Sequence, residues 1–191
     1  MTSAAPGAPL LHPAPIARST PTIVMNTVIF DLMGVLLNEG LFVSKRVYEQ
    51  VKGRITLEEV RRRYRRYATG SCSREEFWSG LFGPGWEARE RELLAHIHPA
   101  PDLDAIRPLK GRFFLALITE IPADWARLLL PKAGLESFFD AEIISGLEGC
   151  TKPDPEIFRR LVARLPASGR RIYFDDKWEN LAAARPFGIA T

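Results

Sequence analysis

The sequence predicts an α/β fold: a Rossmann-like parallel sheet with helices on both faces, carrying a small α-helical cap subdomain. Three observations predict it. Short, largely apolar runs of strand length recur around Val28, Leu115, Ile143 and Ile172, separated by segments with helical periodicity, as expected for parallel strands buried on both faces. The segment between the first two runs is long and helical throughout. Finally, Asp31, Thr119 and the pair Asp175 and Asp176 stand at the ends of apolar runs, where such a sheet places its ligand site.

Composition sets the outer bounds. A chain of 191 residues with 46% hydrophobic content suits one globular domain with room for an inserted subdomain. Its 26 Lys+Arg nearly balance 23 Asp+Glu, and the net charge of +3 gives no reason to expect a nucleic-acid partner. No apolar run approaches the roughly 18 to 20 residues that span a bilayer, so no membrane partner is expected and the protein reads as cytoplasmic. Cys72 and Cys150 lie far apart, without CxxC spacing or a neighbouring histidine, and indicate neither a disulfide framework nor a zinc site.

Residues 1–24 are rich in Pro, Ala, Ser and Thr and lack the basic start and apolar segment of a secretory signal. They read as a disordered tail, or as an over-extended frame whose natural start is Met25. The core is expected over 25–43 and 104–191, and the helical cap over 44–103. The first strand runs through Val28 to Phe30 and ends at Asp31, with Gly34 supplying a tight turn. From about Ser44 to His98 the pattern is helical: Leu57, Val60, Tyr64 and Tyr67 recur at three- and four-residue spacing. Thr56 with Glu59 signals a capping box, and Gly83, Pro84 and Gly85 break the segment before a helix from Trp86 to Ile97. Beyond it come a helix from Leu103 to Lys110, a buried strand from Phe113 to Thr119, a helix from about Asp124 to Ala133, and a strand from Ala141 to Ser145. The strand Arg171 to Phe174 ends in two carboxylates. The chain ends at Thr191, just after Gly188 and Ile189, so either a terminal edge strand is absent or the frame is short.

Taken singly, each polar residue has a bland explanation. Asp31 is a turn former, Thr119 a helix cap, Lys152 a solvated loop lysine, and Asp175 and Asp176 surface acids paired with Lys177 or Arg171. Taken together, four strings change that. The run Thr27 to Leu37 around Asp31, the strand ending at Thr119, the string Lys152-Pro153-Asp154-Pro155-Glu156-Ile157-Phe158, and Asp175-Asp176 running on to Gly188 and Ile189 closely resemble the motifs of the haloacid dehalogenase-like hydrolases, in order and across residues 25–191.

The resemblance implies that Asp31 is the nucleophile and a metal ligand, that Thr119 binds the transferred phosphoryl oxygens, and that Lys152 neutralises their charge. Adjacent acids at a buried strand end are costly without a cation, and Mg2+, a hard ion taking oxygen ligands, is the natural partner. Asp176, helped by Asp175, completes that site with Asp31 and the backbone carbonyl of Met33. Met33 is also the main departure, since the family places there a second aspartate acting as general acid/base. A thioether removes the proton donor to the leaving group and the base for water, worth roughly a hundred- to ten-thousandfold. A second departure is Glu120, on the substrate side, which repels a phosphate dianion unless a cation pairs with it.

The leading expectation is Mg2+-dependent hydrolysis of a small phosphorylated metabolite through an aspartyl phosphate. Three alternatives stay open: a dehalogenase-type hydrolase attacking carbon, whose relatives also lack the second acid but do not usually carry the double aspartate; a carbon–phosphorus hydrolase using Lys45 or Lys52; and a non-catalytic protein binding a phosphorylated ligand or a partner. The arginine-dense stretch Arg61 to Arg66 reads as a solvated helix face, from which one arginine has the reach to meet a substrate anion. His12, His96 and His98 lie in no motif.

Overall fold

The computed structural model describes Met1 and residues 24–191; the tail expected over 1–24 falls almost entirely outside the described residues. Strand β1 spans Thr27–Phe30. A π-helical turn, Val43–Val47, runs into α1 (Tyr48–Val51), and α2 (Leu57–Ala68), α3 (Arg74–Phe82) and α4 (Trp86–Ala95) follow. Strand β2 (Phe114–Thr119), α5 (Ala123–Lys132), β3 (Ala141–Ile144), the single turn α6 (Ser145–Glu148), α7 (Pro155–Arg164), β4 (Arg171–Phe174) and α8 (Trp178–Ala184) complete the order. The four strands form one parallel sheet in the order β3-β2-β1-β4, with Phe30 between Leu117 and Phe174. This is the expected α/β architecture, with α5 and α7 as the crossovers that parallel pairing requires.

Side-chain alternation distributes the helices over the two faces. Val28, Phe30, Leu115 and Leu117 face one core, which holds α5 and the buried residues of α1 to α4. Ile29, Ala116, Ile118, Ile143 and Tyr173 face the other, closed by Ile157, Phe158 and Leu161 of α7. The helical insertion therefore continues one face of the sheet. Its joint is Trp125 of α5, 1% exposed, with ring centroids 5.3 Å from Phe42, 5.7 Å from Tyr64, 6.0 Å from Tyr67 and 6.2 Å from Trp78. The Tyr67 hydroxyl donates to Asp124 Oδ2 at 2.6 Å, and the Ser145 hydroxyl to the Ala68 carbonyl at 2.7 Å.

Several local expectations change. The helix expected over Leu103 to Lys110 is a 3₁₀ helix, Leu103–Leu109, with Pro108 inside it. Strand β3 stops at Ile144, since Ser145 already opens α6. The capping box at Thr56 is half made: Glu59 N–H donates to Thr56 Oγ1 at 3.2 Å, but the Glu59 carboxylate is taken by Arg62 and Arg63. The reciprocal box sits instead at Ser73 and Glu76. The helix expected to reach Ile97 ends at Ala95. Past Gly188 the sheet does continue, as Ala190 bridges Ile172: Ala190 N–H donates to the Arg171 carbonyl at 2.9 Å and Tyr173 N–H to the Ala190 carbonyl at 2.8 Å.

Candidate active site

The C-terminal ends of β1, β2 and β4 deliver the titratable groups to one place. Asp31 directly follows β1; its Oδ1 accepts the Leu32 N–H at 2.7 Å and faces Lys152 Nζ at 2.9 Å. Lys152 reaches in from the loop before α7, whose start is fixed by Pro155 at the first helical position and by Asp154 accepting the Glu156 N–H at 2.8 Å. Its ammonium, wholly buried, bridges Asp31 and Asp175 Oδ2 (2.6 Å) and donates to the Tyr173 hydroxyl at 3.1 Å.

Asp175 and Asp176 are adjacent but differently used. Asp175 accepts from Lys152, the Tyr173 hydroxyl, the Lys177 N–H at 2.8 Å and Asn180 Nδ2 at 3.0 Å, so both its oxygens are occupied. Asp176 carries no comparable set among the described residues; its Oδ2 lies against Gly34 and Gly40, where a Cβ on either glycine would collide with it. Gly34 is also held at φ 89°, in the left-handed region.

These surroundings set the charges. Burial pushes the Asp31 carboxyl up to about 6, against the lowering effect of Lys152. Burial alone would favour neutral Lys152, but Asp31, Tyr173 and Asp175 hold it charged, well above the usual lysine range. Asp175 is buried too, yet Lys152 and the surrounding donors keep it below the ordinary carboxylate range. Burial raises Asp176, with Lys177 opposing.

Carboxylate oxygens of Asp31, Asp175 and Asp176 lie within 4.8 Å of one another. The donor set is all oxygen and anionic, and among the described residues no backbone hydrogen bond is donated to the Met33 carbonyl beside it, so these residues fit a hard divalent cation such as Mg2+. The Thr119 hydroxyl, at the end of β2, is buried and has no partner among the described residues. Orphaned buried hydroxyls are rare, and one at this end of the sheet is suited to donate to an incoming anion.

A cavity of about 510 Å³ opens above these groups. Asp31, Met33, Glu120 and Lys152 line it, whereas Thr119, Asp175 and Asp176 do not. Glu120, the acid that would repel phosphate, is neutralised: Lys177 Nζ lies at 3.0 Å from Oε2, and the Thr151 hydroxyl donates to Oε1 at 3.0 Å. Tyr173, Lys177 and Asn180 are site residues the sequence reading passed over. Tyr173 was signalled by its place two residues before Asp175, hence on the same side of β4, and Asn180 by lying one helical turn beyond the acidic pair.

The profile of the haloacid dehalogenase-like hydrolase family matches residues 25–188. The chain belongs to this family. A sesquiterpene phosphatase of Aspergillus oryzae is 28% identical over 170 residues, covering 84% of this chain and 85% of that protein. Among solved structures, a haloacid dehalogenase-like hydrolase of Porphyromonas gingivalis is 25% identical with a TM-score of 0.68, covering 88% of this chain and 90% of that one. A family enzyme of Bacteroides thetaiotaomicron, solved with magnesium and inorganic phosphate, is 20% identical with a TM-score of 0.67, covering 87% and 92%, and shares the fold.

Proposed function

We propose that the enzyme hydrolyses a small phosphorylated metabolite in a Mg2+-dependent reaction, through an aspartyl phosphate on Asp31. The observation that carries this is the buried Asp31–Lys152–Asp175 chain beside the three-carboxylate cluster. With Oδ1 held by the Leu32 N–H and Lys152, Asp31 presents its second oxygen to an incoming phosphorus. That oxygen attacks as the bond to the leaving oxygen breaks; water then attacks the phosphorus, releasing orthophosphate and restoring the carboxylate. Lys152, held charged, offsets the phosphoryl charge, and we assign the unpartnered Thr119 hydroxyl to a phosphoryl oxygen. Mg2+, held by Asp31, Asp176 and the Met33 carbonyl, would supply further positive charge at the same oxygens. Asp175, expected as a ligand from the sequence, is assigned an orienting role instead, because its oxygens are already occupied by four residues.

Glu120 serves to fix Lys177 in the cavity wall. We assign the insertion 44–103 the role of a cap, since Ser44, Arg61, Tyr64, Arg65 and Ala68 wall the cavity opposite Lys152. Met33, Leu41, Phe42, Val43 and Ala68 add an apolar stretch, and together with the sesquiterpene phosphatase relative this supports a substrate with an apolar organic group. Neither Lys45 nor Lys52 lines the cavity, which weighs against carbon–phosphorus chemistry. None of the described helices is long and apolar enough to cross a membrane, and a cytoplasmic location is part of the proposal.

The test is phosphate release from an aryl phosphate, whose leaving group needs little protonation, with and without Mg2+. Mg2+-dependent release that rises in Met33→Asp and vanishes in Asp31→Asn is the expected result. Metal-independent halide release from a 2-haloacid, with no phosphate release, would replace this reading with the dehalogenase one.

A further inference from the structure

The arginines of α2 are not used alike. Arg62 and Arg63 are paired with Glu59 at 2.8 and 2.6 Å, and neither lines the main cavity. Arg61 and Arg65, four residues apart and so on one helix face, both line the cavity. Arg61 donates only to the Ser44 hydroxyl, at 3.0 Å, and Arg65 has no hydrogen bond or ion pair among the described residues. Nor do the cavity acids offer them a partner: Glu39 is held by Arg46 at 2.7 Å, Glu120 by Lys177, and Asp31 by Lys152, while Glu179 remains at the exposed rim. Arg65 also lines an adjoining cleft of about 500 Å³, with Arg62, Arg66, Thr151 and Lys152. Two like charges on adjacent turns of the cavity wall repel each other, so leaving Arg61 and Arg65 without an acid while Arg62 and Arg63 are neutralised by Glu59 marks a place for an anion beyond the one that Lys152 meets.

A second observation concerns the leaving group. Met33 lines the cavity beside Asp31, and a thioether has no proton to give. Both oxygens of Glu120 are already engaged, by Lys177 and by the Thr151 hydroxyl. A leaving group that departs without protonation is therefore the one this site serves best.

We propose that the substrate is an organic diphosphate monoester, whose terminal phosphoryl group is transferred to Asp31 while Arg61 and Arg65 hold the inner phosphate. This rests on the phosphatase reading above. Asp31 attacks the terminal phosphorus, the anhydride P–O bond breaks, and the electron pair stays on the organic monophosphate, a stable anion. Water then attacks the aspartyl phosphorus, giving orthophosphate, free Asp31 and one proton lost to solvent.

The experiment compares butyl diphosphate with butyl phosphate, at saturating Mg2+, on the full chain. The expected result is a kcat/KM ratio of at least about 100 in favour of the diphosphate, with butyl phosphate and orthophosphate as products. In Arg61→Ala/Arg65→Ala that ratio falls at least about tenfold, and Arg65→Lys restores part of it. Equal rates on both esters, or a ratio unchanged in the double variant, would overturn the proposal. Titration of Asp31→Asn with inorganic pyrophosphate and with orthophosphate separates the two failures. If no ester or aryl phosphate is turned over, the phosphatase reading fails; a pyrophosphate preference abolished by the arginine substitutions still supports the anion subsite, and no preference overturns it.

Discussion

The floor of the cavity and its wall solve opposite problems with the same residue types. On the floor, Lys152 is wholly buried and ligated from several directions, Asp175 is held by four residues, and Asp31 is fixed through Oδ1. On the wall, supplied by the insertion, Arg61 and Arg65 are exposed and lack acidic partners among the described residues. Buried charges must be paired and donor-saturated or they destabilise the fold, so the floor is a rigid device for one kind of chemistry. Exposed arginines cost little when unpaired and are free to meet a ligand, so in the proposed function substrate choice falls to the wall. Substitutions on the floor should therefore change rate or stability by orders of magnitude, and substitutions on the wall should change selectivity.

The largest expected effect is at Asp31. Asp31→Asn keeps a hydrogen-bond acceptor for the Leu32 N–H and Lys152 but loses the proposed nucleophile, so phosphate release should fall at least about ten-thousandfold with far-ultraviolet circular dichroism unchanged. Activity near that of the parent would remove Asp31 from its role. Lys152→Met should act on stability as well, leaving Asp31 and Asp175 buried without their cation, at about 3–5 kcal/mol in urea unfolding. An unchanged midpoint would show that the floor is not held by this ammonium.

The wall is joined to the floor through Trp125, and the next effect tests that joint. Trp125→Ala removes the ring shared by Phe42, Tyr64, Tyr67 and Trp78, for an expected loss of about 3–5 kcal/mol in one cooperative transition. Two separate transitions would mean that the insertion is an independent unit and that the two regions share no core.

A smaller effect is expected in the pH profile. Burial raises Asp31 to about 6, and in the proposed mechanism only its charged form attacks. At limiting Mg2+, kcat/KM should rise with pH through about 6; a bound divalent cation favours the carboxylate, so saturating Mg2+ should move this acidic limb to lower pH. A limb indifferent to Mg2+ would place the cation away from Asp31.

Much of the floor was legible in the sequence because its residues end strands: an apolar run stopping at Asp31, at Thr119 or at Asp175 needs only the geometry of a parallel sheet to converge. The sheet itself followed from the same runs. What stayed hidden depends on contacts between distant segments. Tyr173 reads as one more aromatic in a strand, and only its approach to Lys152 makes it a relay between the lysine and Asp175. Glu120 looked like a charge repelling phosphate until Lys177, 57 residues on, was seen to neutralise it. The periodicity of α2 showed that Val60, Tyr64 and Tyr67 share a face, but not that this face closes on α5. The same periodicity could not divide the arginines, since the pairing of Arg62 and Arg63 with Glu59 is a matter of rotamers.

The smallest effect probes a hydrogen bond that links wall and floor. The Tyr64 hydroxyl donates to the Glu120 carbonyl at 2.8 Å, tying α2 to the residue after Thr119. Tyr64→Phe keeps the ring beside Trp125 and Phe77 and leaves that carbonyl without this donor, for an expected cost of about 0.5–1.5 kcal/mol. If the wall only selects substrate, kcat on an aryl phosphate should stay within about twofold of the parent, because Asp31, Lys152 and Asp175 are untouched. A kcat loss larger than the stability loss accounts for would mean that α2 also sets the position of Thr119, and the division between a fixed floor and a selective wall would have to be redrawn at Glu120.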